Sequence, residues 1–368
     1  MIHIIFTGGT IASSVISDNK DNPNNINNNN TTKTVDINPD NKYKLISMFK
    51  EKQHIVSPVS FDFSFSYPYE ILSENLELSH LLRLVSHVKK VLNNGDKKEG
   101  IIITHGTDTL VYTAAFLSYI FSDIEIPIVL VSANYILDDP RSNGLSNFTY
   151  AACFIRENMK SYNKSFKGVF VSYVNEDGVP MIHRGNRILI QEAFKDSINS
   201  KDEDYIGLFM DNNFLPNPAY FISPINQNSF PALNAALDML IHSNEAYDFK
   251  GIEGNILFIK PHPGLTLNSI SLDNYSAILL EGFHSGTLGA TSELDSFLKK
   301  ARVFKIPVFC CGIKRDGTEY DSINKYKEKG VIPLYDKTPV SQYIKLNILS
   351  ILKLSITENM LKDFAEEC

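Results

Sequence analysis

Cysteine is scarce in this sequence, with four residues in a chain of 368. A chain of this size with so few cysteines has no disulfide framework, which excludes the small, disulfide-stapled secreted domains. Cys310 and Cys311 are adjacent in a run that predicts a buried strand. Since successive side chains of a strand point to opposite faces, we expect two inert, buried thiols that face away from each other.

Basic clusters and long apolar runs are also missing. The formal net charge is -7, and no group of lysines and arginines is suited to a phosphate backbone, so we expect no nucleic-acid partner. The apolar run at 2–6 is too short for a signal peptide or a membrane span, so we expect a cytoplasmic protein without membrane contact. No spacing of His, Cys and carboxylates is typical of zinc, and we expect neither a metal nor another cofactor.

What the sequence does contain is a regular alternation of short apolar runs with longer helical patterns. Runs rich in Ile and Val, such as 101–103 and 128–132, predict strands of a largely parallel sheet within an α/β fold. The length favours two domains. We expect a larger N-terminal α/β catalytic domain at 1–220, a linker region at 221–250 and a smaller C-terminal α/β domain at 251–368.

One polar segment, from Ser13 to Tyr43, interrupts this alternation and includes the asparagine run at 27–30. Such a composition buries too little apolar surface to become ordered. One interpretation is a disordered insertion. The other is a mobile lid, because the segment directly follows a candidate active-site strand. We keep both and expect a lid lengthened by asparagine.

Two motifs rich in hydroxyl side chains directly follow predicted strands. Residues 7–10 read Thr-Gly-Gly-Thr, and residues 104–109 read Thr-His-Gly-Thr-Asp-Thr. Ligands of open α/β sheets bind beyond the carboxyl ends of strands, and paired glycines let the backbone approach them closely. Thr10 would then project into the crevice, and Asp108 could bind a substrate ammonium. Taken alone, the first motif is also typical of a tight turn between a strand and a helix, and the second is also typical of a helix N-cap.

Together, and in this order, the two motifs resemble those of the bacterial-type L-asparaginase/glutaminase family, whose members are threonine-nucleophile amidohydrolases. The stretches 132–144, 182–187 and 257–265 extend the resemblance over nearly the whole chain. The resemblance implies a two-domain asparaginase-like fold and hydrolysis of the side-chain amide of L-asparagine, or of L-glutamine, to the acid and ammonia. It also implies a homodimer or homotetramer.

The resemblance assigns catalytic roles to three residues. Thr10 matches the nucleophile of the family, and Thr107 matches its second threonine. Asp108 matches the aspartate that binds the substrate and belongs to the catalytic group.

The resemblance also implies substrate-binding positions at Gly9, Ser73 and Glu74, with Ser73 on the α-carboxylate of the substrate. The alternative interpretation is that Ser73 has no role in binding and is an ordinary polar residue in the segment before the next helix. Ser285 and Glu319 match residues that a neighbouring subunit contributes to the site. These two are equally typical of plain turns after strands.

Two residues of the family pattern are missing from their expected places. The family pairs its first threonine with a loop tyrosine, but residues 12–41 contain none, so that Lys33 or the more distant Tyr43 takes this place. The position of the family's catalytic lysine falls at Ile190, and the nearest lysine is Lys195. Arg187 is a further candidate substitute.

These departures leave a second function class open, a non-catalytic amino-acid-binding or regulatory protein on the same fold. The presence of Thr10 together with Gly8 and Gly9 favours the enzyme, because a binding protein does not need that hydroxyl. A protein that delivers ammonia to a substrate bound to transfer RNA is disfavoured, because we take the chain to start at its first strand.

Overall fold

The computed structural model describes residues 1–17, 33–37, 41–56, 60–160, 166–221, 230–244, 249–289, 291–315 and 321–365. The chain divides into two compact units. The N-terminal unit comprises Met1–Ala114, Ile124–Gly185 and Ile190–Pro224. The C-terminal unit comprises Ala115–Asp123, Asn186–Leu189 and Ile225–Cys368. The three-part division at 1–220, 221–250 and 251–368 stays a prediction.

The described strands of the N-terminal unit form one large sheet and one small ribbon. They are β1 (Ile2–Phe6), β2 (Ser13–Ser17), β3 (Lys33–Ile37), β4 (Phe63–Ser66), β5 (Gly100–Thr104), β6 (Pro127–Val131), β7 (Gly168–Val174), β8 (Pro180–Arg184), β9 (Gly207–Met210) and β10 (Asn213–Pro216). The large sheet has the order β10-β9-β8-β7-β6-β5-β1-β4. All pairs from β7 to β4 are parallel, whereas β8, β9 and β10 join antiparallel. The mostly parallel N-terminal sheet is therefore confirmed.

The central strands of this sheet have no polar face. Every residue of β1, β5 and β6 is buried. Such strands require cover on both sides, which helices between parallel strands provide. The described helices of the chain are α1 (Asn41–Val56), α2 (Leu78–Asn93), α3 (Leu110–Ile120), α4 (Gly144–Lys160), α5 (Pro231–His242), α6 (Ser292–Val303), α7 (Asp321–Glu328), α8 (Pro339–Ile351) and α9 (Ile356–Met360). None of these described helices has the length and apolarity needed to cross a membrane.

The polar segment 13–43 is more ordered at its ends than its composition predicts. β2 and β3 pair as an antiparallel ribbon, from Ser13 opposite Ile37 to Ser17 opposite Lys33. Both strands contain β-branched residues in an otherwise polar sequence, and such residues favour the extended backbone. The expectation that the whole segment lacks order is therefore wrong for these strands. The asparagine run at 27–30, and with it the lid hypothesis, lies outside the described residues.

The C-terminal unit is a second, smaller α/β layer structure, as predicted. Its strands β11 (Ile256–Ile259), β12 (Ala277–Glu281), β13 (Val308–Ile313) and β14 (Val331–Tyr335) form a parallel sheet in that order. The two faces of β13 belong to different core clusters, one containing Cys310 and the other Cys311. Burial raises the pKa of the Cys310 thiol to about 12. The prediction of two buried thiols on opposite faces is confirmed.

Candidate active site

The carboxyl ends of β4, β1 and β5 lie side by side at one edge of the N-terminal sheet. β1 is the middle strand and runs parallel to both neighbours, with its last residue, Phe6, opposite Thr104, the last residue of β5. The segments that follow these strands, 7–10, 67–73 and 105–109, therefore leave the sheet together. Ligands of parallel sheets bind at this kind of edge.

The turn after β1 requires its two glycines. Gly8 and Gly9 have φ angles of 103° and 79°, which side chains other than glycine rarely adopt. A Cβ atom on Gly8 would lie 2.3 Å from the carbonyl oxygen of Ile71. A Cβ atom on Gly9 would lie 2.3 Å from the backbone nitrogen of Gly106. The backbones of all three segments are thus in close contact here.

Hydrogen bonds fix the same turn to both neighbouring segments. The Gly9 amide donates to the Ile71 carbonyl (3.1 Å), and the Ile71 amide donates to the Thr7 carbonyl (3.0 Å). Thr7 Oγ1 donates to the carbonyl of Thr104 (2.6 Å). Thr10, which is partly buried, begins a short 3-10 turn directly after Gly9, so its backbone starts from a fixed position.

The segment after β4 brings Ser73 to Asp108. Ser73 is buried, and its Oγ donates to Asp108 Oδ2 at 3.4 Å. Thr109 Oγ1 donates to the Ser73 carbonyl at 2.8 Å. A Cβ atom on Gly106 would lie 2.3 Å from Ser73 Oγ, so this approach also depends on a glycine. Glu74, the next residue, is exposed.

A cavity of about 270 Å³ opens beside Thr107 and Asp108. Its lining residues are Thr107, Asp108, Val111, Asn134 and the loop 190–195. Of the predicted site residues, Thr107 and Asp108 line this cavity directly. Ser73 is connected to it through the hydrogen bond to Asp108.

His105 lies in the same segment as Thr107 and Asp108, but its contacts give it a structural role. It is fully buried, its Nδ1 donates to the Gly106 carbonyl (2.8 Å), and its Nε2 accepts from Thr113 Oγ1 (2.8 Å). Burial lowers the pKa of His105 from 6.5 to about 4, so the ring is neutral at physiological pH.

The N-terminal part of the chain, which carries these residues, matches a known family. The sequence model of the family described as "Asparaginase, N-terminal" matches residues 1–217, which is more than half of the chain. The chain belongs to the asparaginase family. The resemblance of its two threonine motifs to that family is thereby confirmed.

Curated relatives of this asparaginase-family chain carry a different name. A glutamyl-tRNA(Gln) amidotransferase subunit of Methanococcus maripaludis (strain C5 / ATCC BAA-1333) is 27% identical over 284 residues, which cover 75% of this chain and 62% of the relative. The protein of the same name from Sulfolobus acidocaldarius is 25% identical over 357 residues, which cover 94% of this chain and 70% of the relative. The chain thus spans less than two thirds of the length of the first of these relatives.

A solved structure supports the fold over the whole chain. The thermostable L-asparaginase from Thermococcus kodakarensis superposes with a TM-score of 0.70 at 20% sequence identity, covering 100% of this chain and 98% of that one. This likeness confirms the asparaginase-like fold class.

The assignment of the family's lysine position to Ile190 stays a prediction, but the structure shows where Ile190 and its candidate substitutes lie. Ile190 lines the cavity and is half exposed. Lys195 lines the same cavity, and its Nζ lies 2.5 Å from Glu192 Oε2. Of the other candidate substitutes, Lys33 opens β3 and Tyr43 is exposed on α1. Lys195, the lysine nearest to Ile190 in sequence, therefore lines the same cavity as Ile190.

The resemblance assigns two positions, Ser285 and Glu319, to the site of a neighbouring subunit. Ser285 is exposed in a turn after β12, where the Gly286 amide donates to the Phe283 carbonyl (2.6 Å). Glu319 lies outside the described residues. The contribution of both to a neighbour's site stays a prediction.

Sequence reasoning missed the loop 190–195 as a wall of the cavity, and it missed Asn134. The only signal for the loop was the proximity of Lys195 to the expected lysine position.

Sequence reasoning also missed a second cavity, which lies at the carboxyl ends of β11 and β12 in the C-terminal unit. It has a volume of about 280 Å³ and is lined by residues that include Ile259, Leu280, Glu281, Phe283, Leu288 and Glu293. We call it the C-terminal cavity. In the described part of the chain, no group of three or more His, Cys, Asp or Glu residues is arranged to hold a metal.

Proposed function

We propose that this chain hydrolyses the side-chain amide of L-asparagine, or of L-glutamine, with the Thr10 hydroxyl as nucleophile. The observation that carries the proposal is the contact of Ser73 Oγ with Asp108 Oδ2, joined by backbone contacts to the turn that presents Thr10. A carboxylate and a hydroxyl held together suit the ammonium and carboxylate groups of an α-amino acid.

The reaction has two steps. Thr10 Oγ attacks the amide carbon, the new Oγ–C bond replaces the C–N bond, the hydroxyl proton passes to the leaving nitrogen, and ammonia departs. Water, oriented by Thr107, then cleaves the ester, which releases the acid and restores the Thr10 hydroxyl. Backbone N–H groups of the glycine turn stabilise the oxyanion in both steps. Asp108 binds the substrate ammonium throughout, with Gly9 and Glu74 beside the substrate.

Ammonia release from L-asparagine and L-glutamine tests the proposal. We expect Thr10→Ala to lower the rate by at least roughly 10³-fold, because the nucleophile is lost. Thr149→Ala is a matched control, since Thr149 is a partly buried threonine of α4 whose hydroxyl bonds Leu145 within the helix. If Thr10→Ala retained the wild-type rate, the proposed nucleophile would be wrong.

A non-catalytic amino-acid-binding protein is the alternative, and Ile190 favours it. An isoleucine transfers no proton, and loss of a general base typically costs roughly 10²–10⁴-fold in rate. Calorimetric binding of L-asparagine without any ammonia release would support this alternative. Turnover at or above roughly 10 per second would contradict it.

A second candidate activity is ammonia supply to a glutamyl-tRNA(Gln) amidotransferase. The observation that favours it is the name shared by the curated relatives. The shared name argues against the expectation from the sequence analysis, which disfavoured this role. The test is whether glutamyl-tRNA(Gln) accelerates ammonia release from L-glutamine. No acceleration, with full activity on free L-asparagine, would contradict the role.

Assembly as a homodimer or homotetramer belongs to the same proposal, with Ser285 and Glu319 completing the site of a neighbouring copy. We expect light scattering to show at least a dimer and dilution to lower the specific activity. A monomer that stays fully active at nanomolar concentration would contradict the assembly.

A further inference from the structure

One face of α2 contacts the segment that carries Ser73. This segment, 67–73, connects the end of β4 to Ser73. His80, Arg83 and His87 are spaced three and four residues apart in α2, so they lie on one face of the helix. Each of them contacts either the start of the segment or the last residue of β4. The position of the segment therefore depends on α2.

Arg83 makes two contacts with the segment. Its Nη2 donates to the carbonyl of Pro68 (2.9 Å), and its guanidinium carbon lies 5.8 Å from the centroid of the Tyr69 ring. That ring is buried, and it packs edge-on against His80 with 5.2 Å between the ring centroids. A planar cation suits both contacts, because it donates hydrogen bonds in its plane and is attracted to the face of an aromatic ring. Arg83 thus ties two consecutive residues of the segment to α2.

The last residue of β4, Ser66, is fixed by two histidines. Its Oγ is hydrogen-bonded to Nε2 of His87 (2.6 Å) and to Nε2 of His3 (2.7 Å), and Nδ1 of His3 is hydrogen-bonded to Ser64 Oγ (2.7 Å). Burial is the main cause that lowers the pKa of both histidines, to about 4 for His3, so both rings are neutral at physiological pH. The hydroxyl of Ser66 can then donate to one ring and accept from the other. The segment therefore starts from a fixed point between α2 and β1.

The same segment is also joined to the turn after β1. The Tyr67 ring stacks on the ring of Phe6, the last residue of β1, with 5.4 Å between the centroids. Ile71 exchanges backbone hydrogen bonds with the turn itself. Two residues further on, Ser73 donates to Asp108. A shift at the start of the segment would therefore move both the turn and the contact of Ser73 with Asp108.

We propose that Arg83 is a positioning residue for substrate binding, which holds this segment against α2 and thereby keeps Ser73 beside Asp108. Arg83 is not among the described residues that line the cavity, so it acts through Ser73 and not on the substrate. The inference rests on the proposed function for the role of Ser73 in binding. Substrate affinity then depends on a helix face outside the cavity.

Arg156 of α4 provides a matched control at the other end of β4. Its Nη2 donates to the Ser60 carbonyl (3.2 Å), and its guanidinium carbon lies 4.3 Å from the centroid of the Phe61 ring. Both arginines are partly buried. Arg156 thus makes the same two kinds of contact as Arg83, but with residues that precede β4 instead of those that lead to Ser73.

The test is calorimetric binding of L-asparagine to full-length protein in a Thr10→Ala background, which prevents turnover. We expect Arg83→Met to weaken binding by about 5-fold, as for the loss of one hydrogen bond, and Arg156→Met to leave the affinity unchanged. Urea unfolding should show a similar loss of stability in both variants. Arg83→Lys, which keeps a donor for the Pro68 carbonyl, should retain most of the affinity.

A double-mutant cycle tests whether Arg83 acts through Ser73. Ser73→Ala alone should weaken L-asparagine binding by about 5-fold or more. Adding Arg83→Met to Ser73→Ala should then weaken it by less than about 2-fold, because the group that Arg83 positions is already gone. A further loss equal to that of Arg83→Met alone would show that the arginine acts independently of Ser73 and would overturn the inference.

Kinetics with otherwise wild-type protein provide the second readout. Arg83→Met should raise KM for L-asparagine by about 5-fold and leave kcat unchanged, which is the signature of lost ground-state binding. A lower kcat at unchanged KM would contradict a role in substrate binding and would overturn the inference.

The outcomes separate this inference from the proposed function. Unchanged affinity in Arg83→Met overturns the inference, whereas ammonia release by the wild type would leave the proposed hydrolysis intact. The expected cycle in a protein that releases no ammonia supports the inference and overturns the hydrolysis. If Ser73→Ala keeps the full affinity, or if L-asparagine does not bind at all, the role of Ser73 and this inference are both overturned. If Arg83→Met does not fold, Arg83→Gln and Arg156→Gln replace the two methionine variants with the same expected outcomes.

Discussion

The two units have the same kind of cavity with different chemistry. In each unit the cavity lies at the carboxyl ends of parallel strands. Six of the ten residues that line the N-terminal cavity are polar or charged, whereas only four of the fifteen that line the C-terminal cavity are. Parallel topology thus provides a cavity at a strand edge, but the loop residues decide what it can bind.

The largest effect is expected at Gly9, compared with Gly264 in the C-terminal cavity. Both glycines have positive φ angles, 79° and 84°. A Cβ atom on Gly9 would meet Gly106, whereas one on Gly264 would meet nothing within 4 Å. We expect Gly9→Ala to abolish ammonia release and to lower the free energy of unfolding by about 3 kcal/mol or more. Gly264→Ala should cost only about 1 kcal/mol of backbone strain.

Urea unfolding and the ammonia assay together check this difference. Equal losses of stability in the two variants would show that the close contact between the turn after β1 and Gly106 is not essential.

The next largest effect is expected at Asp108, a carboxylate of the N-terminal cavity, compared with Glu281, a carboxylate of the C-terminal cavity. Asp108→Asn should lower kcat/KM for L-asparagine by roughly 10²-fold, because the substrate ammonium loses its charged partner. Glu281→Gln, in the C-terminal cavity, should leave kcat/KM unchanged. Steady-state kinetics on both variants measure this. A comparable loss in Glu281→Gln would mean that the C-terminal cavity takes part in the reaction.

Acid should destabilise the N-terminal unit through its buried histidines. Burial lowers the pKa of His105 and of His183 from 6.5 to about 4, so the folded state favours the neutral rings. The resulting stability is present above pH 6.5 and is lost as pH falls towards 4, by about 2–3 kcal/mol for each ring. The described histidines of the C-terminal unit, His242, His262 and His284, are exposed instead.

Urea midpoints measured from pH 7 to pH 4 test this difference. His105→Asn should flatten the pH dependence, whereas His262→Asn should leave it as in the wild type. An unchanged slope in His105→Asn would refute the role of burial at this ring.

The smallest effect is expected at Glu293, a carboxylate of the C-terminal cavity with a structural role. Its Oε1 accepts from the Leu267 amide (2.6 Å) and the Asn268 amide (3.1 Å). Glu293→Ala should therefore lower the free energy of unfolding by about 1–2 kcal/mol without changing ammonia release. Glu293→Gln, which keeps an acceptor oxygen, should lose less. A fall in activity without a fall in stability would contradict the structural role.

Much of the fold could be predicted because apolar runs report burial directly. The runs at 101–103 and 128–132 predicted β5 and β6 to within one residue at each end, since a strand covered on both faces needs a continuous apolar run. β4 was not predicted, because its Phe-Ser alternation gives an edge strand that is only partly buried. The pairing of β2 with β3 was missed because composition alone reports mean polarity and not the pairing of two short strands.

The sequence by itself determined the family, the parallel sheets and the residues presented after β1 and β5. These are local properties, since each motif lies within a few residues of the strand that carries it. Only the tertiary structure decided that Ser73 reaches Asp108 and that Lys195 lines the cavity beside Thr107. The physical reason is that both results depend on close approaches between segments far apart in sequence. Glycines at 9 and 106 permit one approach, and the hydrogen bond from Tyr173 to Asp196 stabilises the other.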